Sequence, residues 1–216
     1  MMHDKQHLEP RKRPIQERSQ GTVEDILSAA AQVFEKHGYA AGTTNRIAER
    51  AGVSIGTLYQ YFPNKEAVAV ALLEQHIIDT NRYFHEWAGH IIAERHGLRA
   101  ALQDYVTGMF EMHCGRPRLQ HVLLEEIQLP ERVHQGLLET ERTAAKKVAD
   151  LLRLYSAVWH SKLERAGYMV VQTVESLTHR FAAHPDEQNI SRANLIDELV
   201  TMLEAYMLSL DRRGQR

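Results

Sequence analysis

The chain has 216 residues, 44% of them apolar and 25% charged, with a net charge of −2 at pH 7, proportions that suit a soluble chain of one or two domains with a substantial core. No apolar stretch approaches the ~20 residues of a membrane-spanning helix, and the opening MMHDKQHLEPRKRP lacks the apolar centre of a secretory signal, so no membrane partner is expected. Cys114 is the only cysteine, which excludes an intrachain disulfide and makes the reducing cytoplasm the expected compartment.

Charge is unevenly placed. Residues 1–65 carry nine Lys/Arg against seven Asp/Glu, and the remainder carries seventeen against twenty-one. That polarity is too slight to select a nucleic-acid partner by itself. Residues 1–18, with Arg11, Lys12, Arg13 and Arg18 beside Pro10 and Pro14, read as a flexible basic arm, which fits equally a solvated tail and an arm touching DNA.

From Thr22 the pattern turns helical. Thr22 and Asp25 resemble a capping box, Ile26, Ala30, Val33 and Phe34 share one face, and Gly38 suits a C-cap. Thr43-Thr44 caps a short helix to Ala51, Gly52 stops it, and Ser54 caps a second short helix ending at Tyr61. Pro63-Asn64 breaks the chain before a long helix from Lys65 to about Arg95. Further helices are expected after Gly97, over 118–128, from Pro130 to about Tyr155, over 159–183 and over 191–210. The expected fold class is all-α with about nine helices: an N-terminal three-helix domain over 19–75 with a helix-turn-helix, and a C-terminal helical bundle over 76–216 for effector binding and dimerisation.

The segment Thr44 to Phe62, TNRIAERAGVSIGTLYQYF, has a mechanical logic. Two short helices meet at Gly52-Val53, with Ala48 small enough for close approach and Val53 and Leu58 in the angle between them. The second helix presents Ser54, Ile55, Gly56 and Thr57 at its leading end, where a recognition helix meets base edges in the major groove. Hydroxyls there bond to bases or phosphates, and Ile55 suits a thymine methyl. Thr44 at a helix N-terminus, the Tyr59 and Tyr61 hydroxyls and Lys65 suit phosphates, which fix register without reading sequence. The same spacing also fits a plain helical core, so geometry alone leaves both readings open.

Residues 22–73, TVEDILSAAAQVFEKHGYAAGTTNRIAERAGVSIGTLYQYFPNKEAVAVALL, resemble the DNA-binding domain of the TetR (tetracycline repressor) family without a gap. The likeness runs through Ile-Leu-x-Ala-Ala-x-x-x-Phe, Thr-Thr-x-x-Ile-Ala, Ala-Gly-Val-Ser-x-Gly-Thr-Leu-Tyr-x-Tyr-Phe and Asn-Lys-Glu. The remaining two thirds resembles the family in length and helix count alone. The resemblance implies a homodimeric repressor that binds palindromic double-stranded operator DNA and is released by an effector. It places DNA contacts at Thr44, Ser54, Ile55, Gly56, Thr57, Tyr59, Gln60, Tyr61 and Lys65, with Ile55, Gly56, Thr57 and Gln60 facing bases.

Two spacing patterns mark the C-terminal part. Leu163, Gly167, Val170, Val174, Leu177 and Phe181, and likewise Ile196, Leu199, Leu203, Tyr206 and Leu210, alternate steps of three and four, which makes a seam for close helix packing. The seam serves an internal core or a dimer interface, and the family resemblance implies the dimer. Trp87, Tyr105, Met109, Phe110, Met112, His113, Tyr168 and Gln172 are the candidate lining of a pocket for a small apolar or amphipathic effector. Each of them also suits plain core.

No cofactor is expected. Among the thirteen histidines, His113-Cys114, His121 and His134 are the candidates for a metal set, but no paired-ligand spacing supports one, so no metal site is expected. Glu125-Glu126 reads as an exposed helical face. The chain has no Gly-rich phosphate loop or nucleophile elbow, so an enzyme is not expected. The readings left beside a repressor are a metal-responsive or activating regulator of the same fold, and an all-α enzyme.

Overall fold

The computed structural model describes residues 17–94, 96–155, 160–184 and 189–214. All regular structure among these residues is helical: α1 Glu17–Ala41, α2 Thr44–Ala51, α3 Ile55–Tyr61, α4 Lys65–Glu94, α5 Leu98–Cys114, α6 Pro117–His121, a π-helical turn Val122–Glu126, α7 Glu131–Leu152, α8 His160–Ala183 and α9 Arg192–Gly214. Residues 1–16 of the expected basic arm lie outside the described residues, and Glu17 already belongs to α1. Thr22 therefore lies inside α1 rather than capping it. The sequence signal misled because a weak capping pair cannot stop a helix that upstream residues continue.

Two compact units emerge: Met1–His76 with Arg116–Gln135, and Ile77–Gly115 with Gly136–Arg216. The expected C-terminal domain ran unbroken over 76–216, whereas Arg116–Gln135 returns to the first unit. It is anchored there by buried Leu119, Val122 and Leu123 and by polar contacts to α1. The Glu35 carboxylate accepts from the Leu119 N–H at 2.7 Å, and the Arg118 guanidinium donates to the Lys36 carbonyl at 3.3 Å. Gly38, at φ 72°, breaks α1 beside that guanidinium, and a Cβ there would lie 2.9 Å from Arg118 Nη2. The left-handed conformation selects glycine, whereas the exposed Arg118 side chain could swing away from an added methyl.

In the first unit α1 packs on α2, and α2 on α3. Ile26, Phe34, Ile47, Leu58 and Phe62 are all within 1% of complete burial, each contributing about 1.5–3 kcal/mol of transfer free energy. In the second unit α5 packs against both α8 and α9, and the core joins side chains of α4, α5, α7, α8 and α9 around Tyr105, Met109, Val170 and Leu203. Arg99 ties α5 to α9 on the surface through Glu204 at 2.8 Å and Asp197 at 3.0 Å. No helix among the described residues is long and apolar enough to cross a membrane.

Candidate functional site

The geometry of α2 and α3 follows from three local devices. Thr43 caps α2 by accepting from the Arg46 N–H. Gly52 ends α2 in the left-handed region, φ 68°, with its N–H turned back onto the helix, so the chain reverses within two residues. Ser54 then caps α3: its Oγ accepts from the Thr57 N–H at 2.9 Å and lies 2.8 Å from Thr57 Oγ1. A cap of this type contributes about 1 kcal/mol, a large share for a helix of seven residues. Leu58, fully buried, pins α3 from below.

What remains is an outward edge. Ile55 is 37% and Tyr59 41% exposed, and Ser54, Gly56 and Gln60 are also exposed. A Cβ added at Gly56 would meet only Ser54 Oγ, at 3.6 Å, so nothing within the chain requires glycine there. Thr44 Oγ1 and the Tyr59 hydroxyl lie 3.1 Å apart, which joins the first turn of α2 to the far end of α3. Thr57 and Tyr61 are half-buried. Asn64 caps α4 by accepting from the Ala67 N–H at 2.7 Å. Lys65 has a structural partner that the sequence did not disclose: its ammonium donates to the Tyr39 carbonyl at 2.8 Å and sits 3.9 Å above the Tyr39 ring. An ammonium has three donors, so this anchoring positions the charge without exhausting it.

The remaining cations of the first unit behave differently. Arg46 donates to the Ala41 carbonyl, and Arg50 grips the Gln32 side-chain oxygen. Both fasten α2 to α1 and line an open groove of about 810 Å³ with Lys36, His37 and Arg116.

Two family models match the chain: "Bacterial regulatory proteins, tetR family" over residues 26–72 and "Tetracyclin repressor-like, C-terminal domain" over residues 97–207. The chain belongs to the TetR family. TetR regulators are non-enzymatic, all-helical DNA-binding proteins, and family membership implies operator DNA and homodimerisation. This TetR-family chain is 28% identical over 130 residues to the HTH-type transcriptional regulator YvkB of Bacillus subtilis, covering 58% of this chain and 69% of YvkB. It is 34% identical over 104 residues to the HTH-type transcriptional regulator RutR of Escherichia coli, a match that spans 47% of this chain and 46% of RutR. Its fold is similar to that of a TetR-family transcriptional regulator of Mesorhizobium loti, with a TM-score of 0.73 at 16% identity over 90% of this chain and 98% of the other.

In this TetR-family regulator much of the expected dimer seam is packed against the subunit's own core. Leu163, Val170 and Val174 of α8 and Ile196, Leu199 and Leu203 of α9 are buried within one subunit, and Leu177, Phe181 and Tyr206 are packed against the same core. Gly167 faces α7: a Cβ there would collide with the Ala145 carbonyl oxygen and lie 2.9 Å from the Ala149 backbone nitrogen. Alternating three-four spacing identifies a packing face but not which helix fills it, and here the chain's own helices fill it. Among the described residues, the large apolar side chains left outside on α8 and α9 are Tyr168, Met169, Met202 and Leu208.

Of the expected effector-lining residues, Trp87, Tyr105, Met109, Phe110 and His113 come together in the buried interior of the second unit. Trp87 and Tyr105 pack at a tilt, with ring centroids 5.1 Å apart and planes at 40°. Tyr168 does not join them, being 54% exposed, and Gln172 is engaged with the Glu141 carboxylate at 2.8 Å. Met112 is half-buried and accepts from the Thr80 hydroxyl through its sulfur. Two residues absent from the sequence reading, Glu175 and His179, stand half-buried at the edge of this interior beside His113, with His179 Nε2 3.3 Å from Glu175 Oε2. Burial pushes the Glu175 carboxyl up to about 7, and the nearby Glu141 charge adds to the effect. Burial lowers the His113 pKa against the opposing effect of the Met109 carbonyl, so that ring is neutral near pH 7. The Tyr105 hydroxyl and the Trp87 indole nitrogen are buried with no hydrogen-bond partner, which costs roughly 1–3 kcal/mol each.

Proposed function

We propose that this regulator is a homodimeric repressor that grips a palindromic operator through α3 and releases it when a small apolar or amphipathic effector enters the second unit. The observation that carries this reading is the outward edge of α3, where Ile55 and Tyr59 stand exposed around a glycine that no intramolecular contact demands. Small and hydroxyl-bearing residues there admit a duplex closely, Ile55 to a thymine methyl and Thr57 and Gln60 to base edges. Thr44, Ser54, Tyr59, Tyr61 and Lys65 supply phosphate contacts around that edge.

A palindrome needs two recognition helices at half-sites roughly 34 Å apart or a multiple of it. The partner surface is assigned to the apolar residues exposed on α8 and α9, Tyr168, Met169, Met202 and Leu208, in place of the buried seam. Effector entry is supported by the aromatic interior around Trp87, Tyr105 and Phe110, whose orphaned polar atoms suit a ligand's polar group.

Selection of bound duplexes from a random pool tests the reading, with an inverted repeat as the expected product. On that operator Lys65→Ala is expected to weaken all sequences alike and reduce the log–log salt slope by about 0.9. Thr57→Ala is expected to relax preference at one position per half-site, at roughly 1–3 kcal/mol of discrimination. Recovery of no enriched sequence, or wild-type behaviour by both variants, overturns the assignment of the reading surface.

A further inference from the structure

The second unit holds a partly buried side-chain cluster that DNA binding does not use. His113 on α5 and Glu175 and His179 on α8 each bring one potential ligand atom to within 4.8 Å of the others. Glu175 and His179 are one helical turn apart and so share a face, with Nε2 and Oε2 separated by 3.3 Å. Two ligand atoms bound at 2.0–2.2 Å to one tetrahedral ion stand about 3.3–3.6 Å apart, which matches that separation. The two imidazoles already converge, with ring centroids 4.4 Å apart at 67°.

The protonation pattern is also that of a ligand set. His113 Nδ1 lies 2.8 Å from the Met109 carbonyl oxygen. A carbonyl only accepts, so Nδ1 carries the proton and Nε2 keeps its lone pair. A backbone carbonyl holding the distal N–H is the usual outer partner of a metal-bound imidazole, fixing tautomer and ring orientation. A second, independent observation comes from the neighbouring core. The Tyr105 hydroxyl, on α5 two turns before His113, is wholly buried without a partner.

We propose that His113, Glu175 and His179 form a binding site for a first-row divalent transition metal ion, bridging α5 and α8. Two imidazoles and one carboxylate suit Zn(II), Co(II), Ni(II) or Fe(II) rather than Mg(II) or Ca(II), which favour all-oxygen ligand sets. Three protein ligands leave at least one position for water or an effector's donor atom, as in open rather than closed zinc sites. The ion joins α5 to α8 directly, so its binding stiffens the interior assigned to the effector. The site itself stands whether or not the regulator represses.

The test uses full-length protein dialysed against a chelator and titrated with Co(II) and with Zn(II) by calorimetry, with the visible Co(II) spectrum recorded in parallel. One ion per subunit is expected, with intense ligand-field bands of a four- or five-coordinate Co(II) centre. His113→Ala and His179→Ala are expected to weaken binding by more than ~100-fold, beyond the loss typical of outer-partner changes. Glu175→Gln is nearly isosteric, guards against a folding artefact, and is expected to lose the Co(II) bands while retaining wild-type helicity by circular dichroism. His134→Ala, at an exposed position, is expected to leave stoichiometry and spectrum unchanged. Absence of stoichiometric binding by the wild type, six-coordinate Co(II) spectra, or retention of the bands by all three cluster variants overturns the proposal. The last of these would place the metal on other histidines.

Discussion

Replacing Gly167 by alanine separates an internal seam from an intersubunit one. The new Cβ would collide with the Ala145 carbonyl oxygen and stand 2.9 Å from Ala149 N and 3.1 Å from Ala149 Cβ. Two of these atoms are backbone of α7, so no side-chain rotation relieves the contact and α8 must move away from α7. Overpacking of this kind costs about 3 kcal/mol, the upper part of the usual range, while removing a helix-interior glycine returns about 1 kcal/mol. The net expectation is about 2 kcal/mol of destabilisation, or a drop of roughly 4–8 °C in Tm for a chain of this size. Urea unfolding followed by circular dichroism reads the loss, and sedimentation velocity reads the oligomer. The subunits are expected to remain associated while the midpoint falls by the same amount at high and low protein concentration. A variant as stable as the parent, or one whose only defect is dissociation into folded monomers, would falsify the placement of Gly167 against α7.

Gly56→Ala is expected to leave stability unchanged or raise it by up to about 1 kcal/mol, since the added methyl meets only Ser54 Oγ at 3.6 Å. Operator affinity, measured by fluorescence anisotropy, is expected to fall, and an unchanged affinity would remove this residue from the interface. Ser54→Ala removes the cap that Thr57 N–H uses and is expected to cost about 1 kcal/mol. Faster amide exchange over α3 than over α2 is the signature, and equal exchange in the two helices contradicts it. Tyr105→Phe deletes a buried hydroxyl without a partner and is expected to stabilise chelator-treated protein by roughly 1 kcal/mol or more in thermal unfolding. Destabilisation instead would mean that the hydroxyl is satisfied.

The sequence by itself determined the helix-turn-helix, because its signals are local. Thr43 and Ser54 cap helices through atoms three residues away, Gly52 supplies a left-handed turn that other residues resist, and Leu58 points inward by helical period alone. All-helical architecture was legible for the same reason. Only the tertiary structure decided what lies opposite a given face. The three-four stripe containing Gly167 and Val174 was visible in the sequence, but a stripe states that something packs there and not whether its partner is α7 or a second subunit. Lys65 gave no sign of Tyr39, 26 residues away. His113 looked toward Cys114, His121 and His134, a set that forms no ligand group among the described residues, and instead meets Glu175 and His179. Spacing within a helix fixes direction relative to its own axis. Meetings between residues sixty positions apart depend on how helices stack, which arises from the summed packing of many side chains and leaves no mark at any one of them.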